Sequence, residues 1–368
     1  MFFKTQKDIL VKYFPSPNET EVVVPNFIRE IGESAFENCK TLKKVVIPQN
    51  VRTIRSAAFK NCTSLVEVEL KYGLREILWE AFWGCSSLKE IVIPDSVIVL
   101  GVAAFTDCSS LTYVVISKRL INISRSTFLG TPWFENYLGD FIVVNGILLK
   151  YKGNESDLTI PDNINTINMG AFDGVDSLVN VVIPESVTQI RGKAFSNCRS
   201  LKSVTIPKSV TKFGLSIFEN NESLEKVSVW EYDVCVNGKE LEFFNVQRIT
   251  SIISKGDFKV AFLPDWIKHQ IIAQMLIKNE NKKSAEEYIR QNIVDVVFCL
   301  IDYNCSELLR SIFEYGDFIT QNDIMKFVDH SINNTKNGGD PFIQIYISNY
   351  RYEHFPDIDD SNTMLLLL

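Results

Sequence analysis

The sequence predicts an α+β protein in which a solenoid of short parallel strands is followed by a C-terminal helical domain. Three observations predict it. Phe36, Phe59, Phe82, Phe105, Phe128, Phe172, Phe195 and Phe218 recur every 23 residues, with one interval of 44 between Phe128 and Phe172. Between successive phenylalanines lies one short alternating apolar segment, as in Leu65-Val66-Glu67-Val68-Glu69-Leu70. Beyond Pro264 that alternation gives way to apolar residues three and four apart. A fixed period of roughly 20 to 29 residues with one strand per unit marks a solenoid, whose units bury their faces only by stacking on one another. The later spacing marks helices.

Laid in register, the unit reads Phe-x-Asn-Cys-x-Ser-Leu-x-x-Val-x-Ile-Pro-x-Ser-Val-x-x-Ile-x-x-x-Ala, nearly intact from Phe82 to Val97 and from Phe195 to Val210. Its Leu-x-x-Val-x-Ile part alternates with period two, which specifies a strand with one buried face. These strands are expected to form one parallel sheet. Pro48, Pro94, Pro161, Pro184 and Pro207 follow the strand and end pairing, because proline lacks the amide hydrogen. Two residues after each repeat phenylalanine stand Asn38, Asn61, Gly84, Asp107, Gly130, Gly174, Asn197 and Asn220. Asn, Asp and Gly tolerate positive φ best, so this slot is expected to be left-handed.

The next slot holds Cys39, Cys62, Cys85, Cys108 and Cys198. Stacked rungs would set these sulfurs about 5 Å apart but pointing in parallel, which suits a ladder of buried thiols better than disulfides. No Cys-x-x-Cys pair or histidine occurs in the array, so zinc spacing is missing. Cys235, Cys299 and Cys305 stand outside the pattern.

The long interval contains Trp133-Phe134 and then Phe141-Ile142-Val143-Val144-Asn145-Gly146-Ile147-Leu148-Leu149. Asn-Gly between alternating apolar runs is the strongest short hairpin signal, so a β-hairpin is expected at about 131–151 with Trp133 as its hydrophobic anchor. Ile9-Leu10-Val11-Lys12-Tyr13 nearly repeats Ile147-Leu148-Leu149-Lys150-Tyr151, and each leads into a repeat phenylalanine.

The repeat phrase resembles the BspA-like leucine-rich repeats over residues of about 20–230, and Thr131 to Tyr151 is similar to insertions that recur in that family. The resemblance implies a right-handed leucine-rich-repeat solenoid associated with adhesion and protein binding, and brings no catalytic residue with it.

The expected organisation is therefore a solenoid over 1–230, a β-hairpin cap or linker over 231–262 turning at Asn237-Gly238, and a helical domain over 263–368. Helices are expected over Pro264–Lys278, Lys283–Tyr303, Ser306–Tyr315, Gln321–Asn333 and Pro341–Tyr350, with an acidic tail segment over Pro356–Asp360. Part of this stretch faintly resembles ankyrin helix pairs, without the Thr-Pro-Leu-His signature.

Composition bounds the function. The chain is 46% hydrophobic and 23% charged over 368 residues, which fits an ordinary folded protein rather than a disordered one. Its longest apolar runs, Val296–Ile301 and Met364–Leu368, fall short of the roughly 20 residues that span a bilayer, so no membrane insertion is expected. Residues 1–230 hold 25 basic and 24 acidic side chains and 231–368 hold 13 and 21, which argues against nucleic acid as a partner. Met1–Asp8 lacks the features of a secretory signal, which favours the cytoplasm; a cell-surface location would need an export signal outside this sequence.

No catalytic set is legible. His269, His330 and His354 fall on different expected helices, with no nucleophile motif beside them. No cofactor is expected. Exposed apolar side chains are the better lead: Val92, Val115 and Val182 with Tyr113 on the strand face, and Trp79 and Trp83 where other repeats mostly carry solvent types. Ordinary β-propensity and groove covering are the plainer readings of the same residues. The leading expectation is a non-enzymatic module that binds a protein partner. A host or cell-surface adhesin and a structural spacer without a ligand are alternatives, and an enzyme with its site at the domain junction is the weakest.

Overall fold

In a computed structural model the described residues are 2–238, 244–256, 258, 263–315 and 318–356. The far arm of the expected hairpin at Asn237-Gly238, most of the end of the 231–262 linker, Met364–Leu368 and the tail segment beyond Pro356 lie outside them. The chain forms two compact units. The first runs to Asn154 and takes in Asp162–Val175 and Gln189–Phe195; the second takes Glu155–Pro161, Asp176–Thr188 and the described residues from Ser196 on.

In the first unit the alternating segments form the expected parallel strands. Glu21–Val23, Lys44–Ile47 and Glu67–Leu70 pair one repeat apart, Val22 with Val45 and Val45 with Val68, and Glu90–Val92 pairs likewise with Tyr113–Val115. Where the sequence suggests one sheet, each turn adds a second, two-residue strand. Glu30–Ile31, Thr53–Ile54, Glu76–Ile77 and Val99–Leu100 make another parallel ladder that starts on Ile9–Phe14. Its inward residues Ile31, Ile54, Ile77 and Leu100 are buried, and they occupy the last position of the repeat's Val-x-x-Ile phrase.

The phenylalanines stack as the repeat requires. Phe36 and Phe59 lie with ring centroids 4.6 Å apart, Phe59 and Phe82 4.9 Å, Phe82 and Phe105 5.1 Å, and Phe105 and Phe128 5.3 Å, with planes within 16° of parallel. Phe172 and Phe195 repeat this at 4.7 Å. Each ring is fully buried. The period is therefore a packing rule: one ring fills one layer, and burying each contributes about 1.5–3 kcal/mol. Backbone pairing fixes the layers. The Phe59 N–H donates to the Ala81 carbonyl at 2.7 Å and the Phe82 N–H to that of Ala104 at 2.8 Å.

All eight residues of the expected left-handed slot have positive φ, between 57° and 76°. A second left-handed slot lies two residues before the phenylalanine, at Ser34, Ala57, Glu80, Ala103, Gly170, Lys193 and Ser216. Most of these types gain nothing from that conformation, which costs an L-residue about 1 kcal/mol. Neighbouring turns hold it in place: the Ala57 N–H donates to the Trp79 carbonyl at 2.9 Å and the Glu80 N–H to that of Val102 at 3.0 Å.

The long interval restarts the array. Phe2–Gln6 pairs antiparallel with Ile9–Phe14, and Phe141–Val144 pairs antiparallel with Ile147–Tyr151 around Asn145 and Gly146, the expected hairpin. Tyr13 then stacks on Phe36 at 4.8 Å, and Tyr151 meets Phe172 at 5.4 Å. Trp133, on the one-turn helix α1 (Pro132–Glu135), packs against Phe128 at 4.8 Å and closes the first stack. Across the interruption, side chains replace backbone pairing. Arg125 donates to the Gly170 carbonyl at 2.7 Å, and Asn168 to that of Ile123 at 2.9 Å.

In the second unit Asp157–Thr159, Asn180–Val182, Ser203–Ile206 and Lys226–Val229 form a parallel ladder, and Tyr232–Cys235 closes it antiparallel. The turn into this terminal strand is Trp230-Glu231, both at positive φ. Val234 thus pairs backward with Val227, where the sequence suggests pairing forward across Asn237-Gly238. Helices follow: α2 (Val246–Lys255), α3 (Asp265–Ile277), α4 (Lys282–Gln291), α5 (Ile293–Asp302), α6 (Ser306–Tyr315), α7 (Gln321–Lys336) and α8 (Pro341–His354). The expected helix Lys283–Tyr303 is two, broken at Asn292, whose side chain donates to the Tyr288 carbonyl at 2.8 Å. Helix α2 lies within 231–262, where the sequence suggests only a β-hairpin cap or linker.

Helix α3 is buried nearly all round and satisfies the outer edge of the terminal strand with two side-chain amides. Gln270 accepts from the Cys235 N–H at 2.7 Å and donates to its carbonyl at 2.9 Å. Gln274 does the same for Asp233 at 2.9 and 2.6 Å. The match is geometric. Four residues of helix rise about 6 Å and two residues of strand about 6.6 Å, so amides at i and i+4 meet backbone groups at j and j−2. Lys278 extends the series to the Glu231 carbonyl at 2.5 Å.

Candidate functional site

The outward strand face of the first unit carries two rows. In one, Lys44 and Glu67 form an ion pair of 2.7 Å, and further along Tyr113 lies beside Glu90. The Glu67 carboxylate, hydrogen-bonded to Lys44, holds that ammonium above its usual range. In the other row Val23 pairs with Val46 and Val46 with Glu69, and Val92 pairs with Val115. Val92 is 54% exposed, Tyr113 56% and Val115 38%. These three therefore form one cluster across two adjacent strands.

The other expected residues lie elsewhere. Val182 belongs to the second unit, between Thr159 and Thr205, in a row that is otherwise hydroxylic. Apart from Val182 that ladder's outward face is polar, with Asn180 bonded to Asp157 and Ser203 to Asn180, each at 2.6 Å. Trp79 and Trp83 sit on the phenylalanine-bearing turns. Trp79 is 57% exposed, and its counterpart one turn on, Val102, is exposed beside it. Trp83 is half-buried: the Lys60 ammonium lies 4.8 Å from its ring centre and 2.5 Å from Glu80. Val102 extends the Trp79 patch, while Val23, exposed three turns before Val92 with Val46 and Glu69 between, shares only its 23-residue register.

The histidines converge on nothing. His269 is buried on α3, and desolvation lowers its pKa. His330 meets Asp302 at 2.7 Å and stacks on Phe298, while His354 stacks on Tyr350. Among the described residues no group of three His, Cys, Asp or Glu could hold a metal ion, and no helix is long and apolar enough to cross a membrane.

The thiol ladder is buried, and three of its five members donate to the carbonyl of the preceding turn: Cys62 to Phe36 at 3.1 Å, Cys85 to Phe59 and Cys108 to Phe82 at 3.2 Å; Cys198 instead donates to the Ser196 carbonyl of its own turn at 3.6 Å. Burial pushes the Cys39 thiol up to about 11 and that of Cys108 up to about 12. Two of the stray cysteines meet, although 70 residues separate them: Cys235 and Cys305 line one cavity of about 400 Å³ in the second unit.

The fold and its exposed faces define a leucine-rich β-solenoid followed by helices. A profile of the BspA type leucine rich repeat region matches residues 7–135 and 148–260 in six copies, and the chain belongs to that family. Among solved structures it is similar to a leucine rich cell surface protein from Faecalibacterium prausnitzii (25% identity, 56% of this chain and 72% of that one, TM-score 0.34). It is also similar to the T. pallidum leucine rich repeat protein (28%, 57% and 78%, TM-score 0.30) and the pneumococcal vaccine antigen PcpA (15%, 61% and 78%, TM-score 0.35). No curated protein matches it.

Proposed function

We propose that the chain is a non-enzymatic protein-interaction module whose docking face is the outward surface of the first unit. The observation that supports this is the side-by-side exposure of Val92, Tyr113 and Val115 on adjacent strands, with Trp79 and Val102 exposed on the phenylalanine-bearing turns. Large aromatic and β-branched groups held on a rigid sheet lose little entropy when a partner covers them. The ions flanking them, among them Glu90 and the Lys44–Glu67 pair, suit a polar rim around an apolar centre. Family membership supports the same reading.

Capture of a protein from extracts of the producing cell and of its host tests it. A partner retained by the native chain is expected to be lost from Trp79→Ala, with a penalty of about 2 kcal/mol, near thirtyfold in affinity. Val92→Lys/Val115→Lys should lose it as well, and Val182→Lys should keep it. Equal recovery by all four proteins would overturn the proposal.

A further inference from the structure

The cavity shared by Cys235 and Cys305 carries an inference independent of the docking face. Cys235 is half-exposed while the other seven cysteines are buried. It sits at the end of the terminal strand, and Cys305 immediately precedes α6. One amide holds both, for Gln270 Oε1 accepts from the Cys235 N–H at 2.7 Å and from the Cys305 thiol at 3.6 Å. The Tyr303 carbonyl, also 3.6 Å from the Cys305 sulfur, is the other acceptor within reach of that thiol. The neighbouring Cys305 thiol lowers the Cys235 pKa, and the Lys226 charge favours its thiolate whereas burial and Asp233 oppose it; Cys305 is raised. Lys278 and Glu307 also line the cavity. The ladder cysteines are all buried, with Cys62, Cys85 and Cys108 aimed at carbonyls and the Cys85 and Cys108 thiols pushed up by burial, so neither access nor thiolate is offered there.

We propose that Cys235 and Cys305 are a reversible redox pair, closed to a disulfide when a hydroperoxide enters the cavity and reopened by a dithiol. The Cys235 thiolate attacks the outer peroxide oxygen, the O–O bond breaks, and the departing alkoxide or hydroxide takes a proton, leaving a sulfenic acid. Cys305 gives up its proton and attacks that sulfur; the S–O bond breaks and water leaves. Two thiols and one hydroperoxide thus become one disulfide, one alcohol (water, if the oxidant is hydrogen peroxide) and one water. The bond fastens the terminal strand to the start of α6 across the Gln270 clamp. Reactivity follows the thiolate and its access, and both favour Cys235 over the ladder.

Treating the folded full-length chain with hydrogen peroxide, alkylating under denaturing conditions and mapping peptides without reductant tests this. Two of the eight thiols should be lost, in a single cross-linked peptide pair containing Cys235 and Cys305, and dithiothreitol should restore both. Cys305→Ser should instead accumulate a dimedone-reactive sulfenic acid at Cys235, and Cys235→Ser should leave Cys305 unoxidised. Full alkylation of both residues after peroxide, or a cross-link through any other cysteine, would overturn the assignment, as would a Cys305→Ser chain that keeps Cys235 a thiol.

Discussion

The stacked turns and the helical segment hold their shapes by different means. In the turns one contact is made again and again: ring on ring near 5 Å, amide to the next turn's carbonyl, thiol to the previous one. In the helical segment each contact is made once, as where Gln270 and Gln274 meet the terminal strand or Trp266 stacks on Tyr303 at 4.8 Å. A repeated contact spreads its failure to neighbours above and below, because no layer is covered except by the next. A unique contact should fail locally. The comparison makes the difference one of reach as well as of energy.

The strongest test is Phe82→Ala in the middle of the first stack. Removing a ring that touches Phe59 on one side and Phe105 on the other should cost about 3–5 kcal/mol. Amide exchange should quicken over the strands from Lys44 to Val115, and denaturant unfolding should show the lost midpoint. Protection loss confined to the Phe82 turn would refute the claim of spreading. Next in size is Gln270→Ala, which leaves the part-buried N–H and carbonyl of Cys235 unpaired, at about 1–3 kcal/mol for the two together because the cavity lets water reach them. Faster exchange should be confined to the terminal strand and α3, with the Phe59–Phe82 layers unchanged.

The smallest effect concerns pH. His269 is neutral and buried on α3, faced by Asp265, Asp295 and Lys268, with the Tyr288 ring 6.0 Å away. Its folded pKa lies below the ordinary 6.5, so the unfolded chain binds the proton first. Its contribution is whole above about 6.5 and fades as pH falls from there through the lowered folded value. Exchange in α3 should therefore quicken on mild acidification, and His269→Phe should flatten that slope while leaving the first unit unaffected.

The same contrast explains what could be read from the residues alone. A contact made at every turn writes its own period, so the phenylalanine stack and the left-handed Asn, Asp or Gly slot were legible, as was the hairpin at Asn145-Gly146. The second left-handed slot was not, because Ala57 and Lys193 have no preference for positive φ and take it from neighbouring backbone. Helix α2 had signals that could have found it, with Asn245 capping its start through the Arg248 N–H and Gly256 closing it at φ 61°. The surface cluster was partly legible: Val92, Tyr113 and Val115 come together, whereas Val182 lies among threonines and Trp83 beneath Lys60. The Cys235–Cys305 pair was out of reach, since nothing local in either segment points to the other.

The two glutamines of α3 bear on assembly. A sheet that ended at Asp233 and Cys235 with bare amides and carbonyls would offer a template on which another chain could add a strand, and copies could then grow end to end into fibres. Gln270 and Gln274 fill those valences from the side with groups that cannot propagate. At this margin the coil stops by chemistry as well as by shape, which keeps a self-similar protein from treating its own sibling as one more turn.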